Sequence, residues 1–107
     1  MTGNNPILRF GLPAQTIDKI SSVFRLHLQV ERVLIYGSRA MGAFKNGSDI
    51  DLTIIGRDIS LTDLLKIENE LDDLLLPYKI DLSLSHDLAD KSLQEHIQRV
   101  GVVFYER

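Results

Sequence analysis

The sequence contains no cysteine and no tryptophan, only three prolines, and three histidines (His27, His86, His96). The lack of cysteine excludes disulfides, thiolate metal sites and cysteine nucleophiles, and the three histidines share no spacing that would make a zinc set. A metal held by this chain would therefore be held through oxygen. Positive charge is also scarce. Twelve Lys and Arg stand against fifteen Asp and Glu, a formal net charge of −3, so no basic field is available to hold a nucleic-acid backbone. No stretch approaches the roughly 18 apolar residues of a membrane span. The opening MTGNNPILRFGLP lacks the charged head and long apolar core of a signal peptide. These absences predict a cytoplasmic protein with no membrane contact and no direct nucleic-acid binding.

The remaining composition is that of an ordinary globular domain, with 44% hydrophobic and 25% charged residues. At 107 residues the chain has room for one core and none for a separate substrate domain. Its substrate is expected to be small or to bring its own docking surface.

Residues 1–12 carry Gly3, Asn4, Asn5, Pro6 and Gly11 and predict an irregular lead-in, followed by a single domain over 13–107. Ile17, Ile20, Phe24 and Leu28 recur at helical spacing behind Pro13, which predicts a helix over 13–29. The run RVLIY (32–36) reads as a buried strand ended by Gly37, and a short helix fits 39–44 before the turn residues Asn46 and Gly47. DIDLTII (49–55) alternates Asp49, Asp51 and Thr53 with Ile50, Leu52 and Ile54, the period of a strand with one polar side. Ser60 caps a helix that Pro77 ends, with Leu61, Leu64, Leu65, Leu71, Leu74 and Leu75 as its apolar face. KIDLSLS (79–85) is a third strand with Asp81 on its polar side. A helix follows over 87–100, with Leu88, Leu93, Ile97 and Val100 inward, and VVFYE can add an edge strand. The leucines of 61–75 read first as core, the three histidines as ordinary, and Tyr36 as strand packing. In an exposed C-terminal strand Tyr105 is the residue placed to meet another chain. The elements alternate as α-β-α-β-α-β-α with a possible last strand, a single α/β layer structure.

Two acids at the entry to a buried strand require a reason. Side chains at i and i+2 of a strand point the same way, so Asp49 and Asp51 project together, about 7 Å apart at a rise of ~3.3 Å per residue. If the turn between the first two strands returns the chain antiparallel, Gly37 and Ser38 lie beside them. A helical crossover to the third strand is parallel and brings Asp81 level with the pair. Like charges ~4 Å apart cost on the order of 4 kcal/mol at an effective dielectric near 20, so such a cluster calls for cations. Mg²⁺ prefers carboxylate and phosphate oxygens, which points to phosphoryl or nucleotidyl transfer. Gly37 allows close approach, and the N–H groups from Ser38 onward together with its hydroxyl can cradle phosphate oxygens.

The pattern G-S-x10-D-x-D with a later strand acid resembles the nucleotidyltransferase superfamily that has the DNA polymerase β-type palm. The segments YGSRAMG, SDIDL, KIDLS and GVVFYER resemble, more closely, the minimal nucleotidyltransferases that are antitoxin partners of HEPN-domain toxins. The resemblance runs from about residue 13 onward. It implies a small mixed sheet with helices mainly on one face, an α/β (α+β) palm fold. It implies two Mg²⁺ ions, with Asp49 and Asp51 as ligands to both and Asp81 as the remaining ligand and base. Gly37, Ser38, Arg39 and Lys45 would hold the nucleotide, and AMP would pass from ATP to a protein hydroxyl, most plausibly a tyrosine of the HEPN toxin. The chain departs from the pattern at Met41, where many relatives carry a second arginine; Lys45 is the nearest substitute charge. Two other classes compete with this enzyme: a binding module that neutralises its partner by complex formation alone, and nucleotidyl transfer to a small molecule or an RNA end. The third ranks last, since neither a second domain nor a basic tract is present.

Overall fold

The computed structural model describes residues 8–107. The first seven residues of the expected lead-in lie outside them. In chain order the elements are β1 (Leu8–Arg9), β2 (Leu12–Pro13), α1 (Ala14–Arg25), β3 (Val30–Tyr36), α2 (Gly37–Met41) and β4 (Ile50–Gly56). They continue with α3 (Leu61–Asp72), β5 (Ile80–Leu84), one 3-10 turn (Ser85–Asp87), α4 (Lys91–Val100) and β6 (Val102–Glu106). Where an irregular lead-in is expected, β1 and β2 pair antiparallel. The turn between them has Phe10 and Gly11 at φ 60 and 71, both in the left-handed region that a tight two-residue hairpin demands.

Four strands form the main sheet in the order β5-β4-β3-β6. β3 pairs antiparallel with both β4 and β6, whereas β4 pairs parallel with β5. A five-residue helix and a turn bring the chain back antiparallel from β3 to β4, and the longer α3 crossover makes the parallel connection. Alternation then decides which face each residue takes. Val33, Ile35, Ile50, Leu52, Ile54, Leu82 and Leu84 face the core with Ile17, Ile20 and Phe24 of α1 and Leu64, Ile67 and Leu71 of α3. Tyr36, Leu34, Asp51 and Thr53 lie on the opposite face. α4 crosses it, with Ile97 lining a groove together with Leu34 and Ile55. The helices therefore pack mainly on one side, as expected. A register shift where β6 passes Val33 and Leu34 lets the neighbours Phe104 and Tyr105 both turn inward. Their rings meet Phe10 at 6.1 Å and Phe24 at 5.8 Å. Tyr105 is thus a core residue, not one that faces a second chain.

Two helices end earlier than apolar spacing predicts. α1 stops at Arg25 and leaves Leu28 78% exposed. The guanidinium of Arg107 reaches across from the end of β6 and donates through Nη2 to the carbonyls of Phe24, Arg25 and His27 at 3.5, 3.3 and 2.9 Å. It supplies partners that a further helical turn would otherwise have supplied. Near the same corner His27 Nε2 meets a Glu70 carboxylate oxygen at 2.7 Å and ties the end of α1 to α3. α3 stops at Asp72, and Leu74 and Leu75 bond back three residues to Leu71 and Asp72 in a tightened last turn. Leu61, Leu65 and Leu75 are exposed, and Ile67 takes the inward place assigned to them.

α3 begins where expected. Ser60 accepts from the Asp63 amide, and the Asp63 carboxylate accepts from the Ser60 amide at 2.9 Å, a reciprocal capping box. The backbone and side-chain hydrogen bonds from Ser60 hold the Asp63 carboxyl below the usual range. Ser60→Ala is expected to lower the melting temperature by roughly 5 °C, since an N-cap is worth ~1 kcal/mol in a domain of this size; thermal denaturation checks it.

Candidate active site

β4 and β5 run parallel with Asp51 directly beside Asp81, and Tyr36 of β3 stands opposite Asp51 on the other side. Adjacent strands are about 4.8 Å apart, so the carboxyl groups of Asp51 and Asp81 leave the sheet as lateral neighbours on one face. Asp49, just ahead of β4, takes that face by alternation and is exposed. The charges act on one another. The Asp51 carboxyl is pushed above the usual range first by burial, then by Asp81 and Asp49. Burial first, then Asp81 and Asp51, also raises the Tyr36 hydroxyl, against a contact with Ser83 that lowers it. Ser83 in turn donates to Thr53 Oγ1 at 3.0 Å, which satisfies a hydroxyl that is fully buried.

Gly37 follows Tyr36 with φ 74, and a Cβ at this position would strike the Asp51 carboxylate. Only glycine combines that left-handed conformation with so close an approach. The expected short helix starts at this glycine, two residues earlier than its spacing suggests, so Ser38 lies in the first turn of α2, partly exposed. The structure thus brings Gly37 and Ser38 to the same end of the sheet as Asp51 and Asp81.

Arg39 does not stand free for a phosphate. It is 3% exposed, with Nε and Nη2 donating to the Ser48 carbonyl at 3.1 and 2.9 Å and Nη1 to the Phe10 carbonyl at 3.0 Å. Its guanidinium lies 5.3 Å from the Phe44 ring centre and 5.2 Å from that of Tyr78. All three of its donor nitrogens are engaged by backbone carbonyls. Arg39 fastens α2 to the carbonyl just before Asp49, because carbonyls and ring faces converge on it from three segments. Lys45 is exposed, with its amide bonded to the Ser48 hydroxyl, and Met41 is 53% exposed.

Sequence reasoning passed over His96. From α4 its Nε2 accepts the Gly37 N–H at 3.1 Å, and its ring meets Tyr36 edge-on with centroids 6.1 Å apart. The signal was available: Leu93, His96, Ile97 and Val100 form one helical stripe.

Whether these residues suit divalent ions follows from the donor chemistry. The three carboxylates offer oxygen alone, and their mutual repulsion, seen in the upward push on Asp51, is relieved by a cation between them. Among the described residues no group of three or more His, Asp or Glu side chains stands close enough together to hold a metal ion by itself. A Mg²⁺ ion that keeps waters and substrate phosphate oxygens needs only one or two protein carboxylates at a time.

Residues 18–107 match the family described as "Polymerase beta, Nucleotidyltransferase". A Methanocaldococcus jannaschii protein named "putative protein adenylyltransferase" is 34% identical over 95 residues, covering 78% of this chain and 96% of that protein. Among solved structures, a chain from a toxin-antitoxin crystallised with AMP-PNP superposes with a TM-score of 0.69 at 19% identity, covering 85% of this chain and 73% of its own. A structure of a tri-AMPylated Shewanella oneidensis HEPN toxin in complex with its MNT antitoxin gives 0.64 at 17% identity, covering 87% and 71%. The two structural likenesses speak for the palm fold.

Proposed function

Because the chain belongs to the polymerase beta nucleotidyltransferase family, we propose that this nucleotidyltransferase moves AMP from ATP to a tyrosine of a HEPN-domain toxin and thereby acts as its antitoxin. The observation that carries the reading is the level register of Asp51 and Asp81 beside the Gly37 turn. The protein acceptor draws on the name of the M. jannaschii relative, and the HEPN partner on the complexes whose chains share the fold.

In this reading Gly37 and Ser38 hold the triphosphate, with the Ser38 amide and hydroxyl donating to its oxygens and Lys45 adding charge from the following loop. Asp49, Asp51 and Asp81 would hold two Mg²⁺ ions together with the triphosphate oxygens. Bound divalent ions supply charge neutralisation of the triphosphate and Lewis acidity at the transferring phosphorus. Asp81, on the edge strand and exposed, takes the proton of the acceptor hydroxyl. The hydroxyl oxygen attacks the α-phosphorus, the bond to the bridging oxygen breaks, and pyrophosphate leaves in line.

The test is incubation of the chain with Mg²⁺, ATP labelled in its α-phosphate and a HEPN-domain partner, with the site of label read by mass spectrometry. Label on a partner tyrosine is the expected result. A partner that forms the complex and takes up no label would overturn the reading.

One observation favours a second reading, neutralisation by complex formation alone. Arg39 is committed to backbone carbonyls and position 41 is methionine, so the cradle has no arginine for the triphosphate. Asp49→Ala with Asp51→Ala separates the two: a double variant that protects cells from the toxin as well as the wild type would show that binding suffices.

A further inference from the structure

We propose that His96 is a positioning residue for nucleotide binding, acting by holding the Gly37 amide so that the Gly37-Ser38 turn keeps its phosphate-receiving shape; this rests on the functional reading above. A backbone N–H can only donate, so Nε2 of His96 must accept at this bond, and the ring proton of the neutral imidazole resides on Nδ1. The bond spans 59 residues of sequence and joins α4 to the first residue of α2, where the chain leaves β3. Gly37 has no side chain to stabilise its φ of 74. Its conformation is set from outside, by the Asp51 carboxylate on one side and by His96 on the amide.

The ring is itself oriented. It is partly buried and packs edge-on against Tyr36, which pairs with Asp51 of β4. Ile97, the next residue, is buried and fixes the rotation of α4 over the sheet. A chain of contacts therefore runs from β4 through Tyr36 to His96 and on to Gly37. The turn is held against the same strand that carries Asp51. With the Gly37 amide occupied, the donors left for phosphate oxygens are the Ser38 amide and hydroxyl, and their direction depends on the Gly37 conformation.

His96→Leu keeps the bulk and removes the acceptor, whereas His96→Gln returns an acceptor oxygen on a flexible side chain. One hydrogen bond of this kind corresponds to about a tenfold change in an equilibrium. His96→Leu is expected to raise KM for Mg·ATP and Kd for Mg·AMP-PNP about tenfold, with kcat within about threefold of wild type. It should also speed hydrogen exchange at the Gly37 amide by a similar factor. His96→Gln is expected to restore binding to within about twofold. Equal affinity of wild type and His96→Leu, or a His96→Gln variant as weak as His96→Leu, would overturn the inference. If His96→Leu does not fold, His96→Gln decides alone: near-wild-type affinity supports the role and a tenfold loss refutes it. A wild type that binds no Mg·AMP-PNP would overturn the functional reading and this inference with it. A wild type that binds while His96→Leu binds equally would remove the inference alone.

Discussion

Asp51→Asn is expected to reduce AMP transfer on the order of 10³-fold and, in the same protein without metal, to raise the melting temperature. The loss of rate follows from the proposed ligand role. Metal-assisted charge stabilisation in such a transfer is worth several kcal/mol, and each ~1.4 kcal/mol is a factor of ten in rate. The gain in stability follows from the site's electrostatics. Burial and the neighbouring Asp81 and Asp49 raise the Asp51 carboxyl above its ordinary 3.8. Between that value and its folded-state value the native protein binds more protons than the unfolded chain. Its contribution to stability is therefore full below 3.8 and is lost as pH rises through the raised folded-state value. At neutral pH the ionised group opposes folding, and asparagine removes the opposition. Mg²⁺ should stabilise the wild type by mass action and Asp51→Asn far less. Radiolabel transfer, together with melting curves from pH 3 to 8 with and without Mg²⁺, checks all parts. An Asp51→Asn protein that transfers label at the wild-type rate would dismiss the metal-ligand role.

Arg39→Ala is expected to cost about 3 kcal/mol of stability, a fall in melting temperature of roughly 15 °C. The truncation removes three charge-assisted hydrogen bonds to the Ser48 and Phe10 carbonyls and two guanidinium-ring contacts, all in a side chain 3% exposed. Arg39→Lys keeps the charge but neither the fork nor the flat stacking surface, and is expected to lose a large part of the same stability. If Arg39 instead served the triphosphate, the alanine variant would melt like the wild type and show only a raised KM. Chemical denaturation beside nucleotide titration distinguishes the two outcomes.

The sheet and the grouping of its acids were legible because both depend on period two. DIDLTII and KIDLSLS leave a single register in which all the isoleucines and leucines at alternate positions reach one core, and that register sets Asp51 beside Asp81. Gly37 was legible because a glycine between an apolar run and a serine marks a forced turn. The packing of Arg39 was not legible because its neighbours in sequence are Ser38 and Ala40, while its partners in space are Ser48, Phe10, Phe44 and Tyr78. His96 and Arg107 were hidden for the same reason. Each acts on a backbone group some 59 to 83 residues away, a distance that no local spacing records. The early ends of α1 and α3 come from partners outside the helix and from a tightened last turn, whereas apolar periodicity continues past both.

The alignment of β5 on β4 also governs what changes the gene can absorb. Gaining or losing a single codon at the start of β5, ahead of Asp81, would turn Asp81 and Ser83 toward the oily interior and send Leu82 and Leu84 outward. The molecule would collapse before it could persist with a misplaced acid. Length variation among descendants should therefore collect in the connection between Asp73 and Lys79, where added residues leave the facing of both strands unchanged. Any selection that preserves folding then preserves the alignment of Asp51 with Asp81 as well.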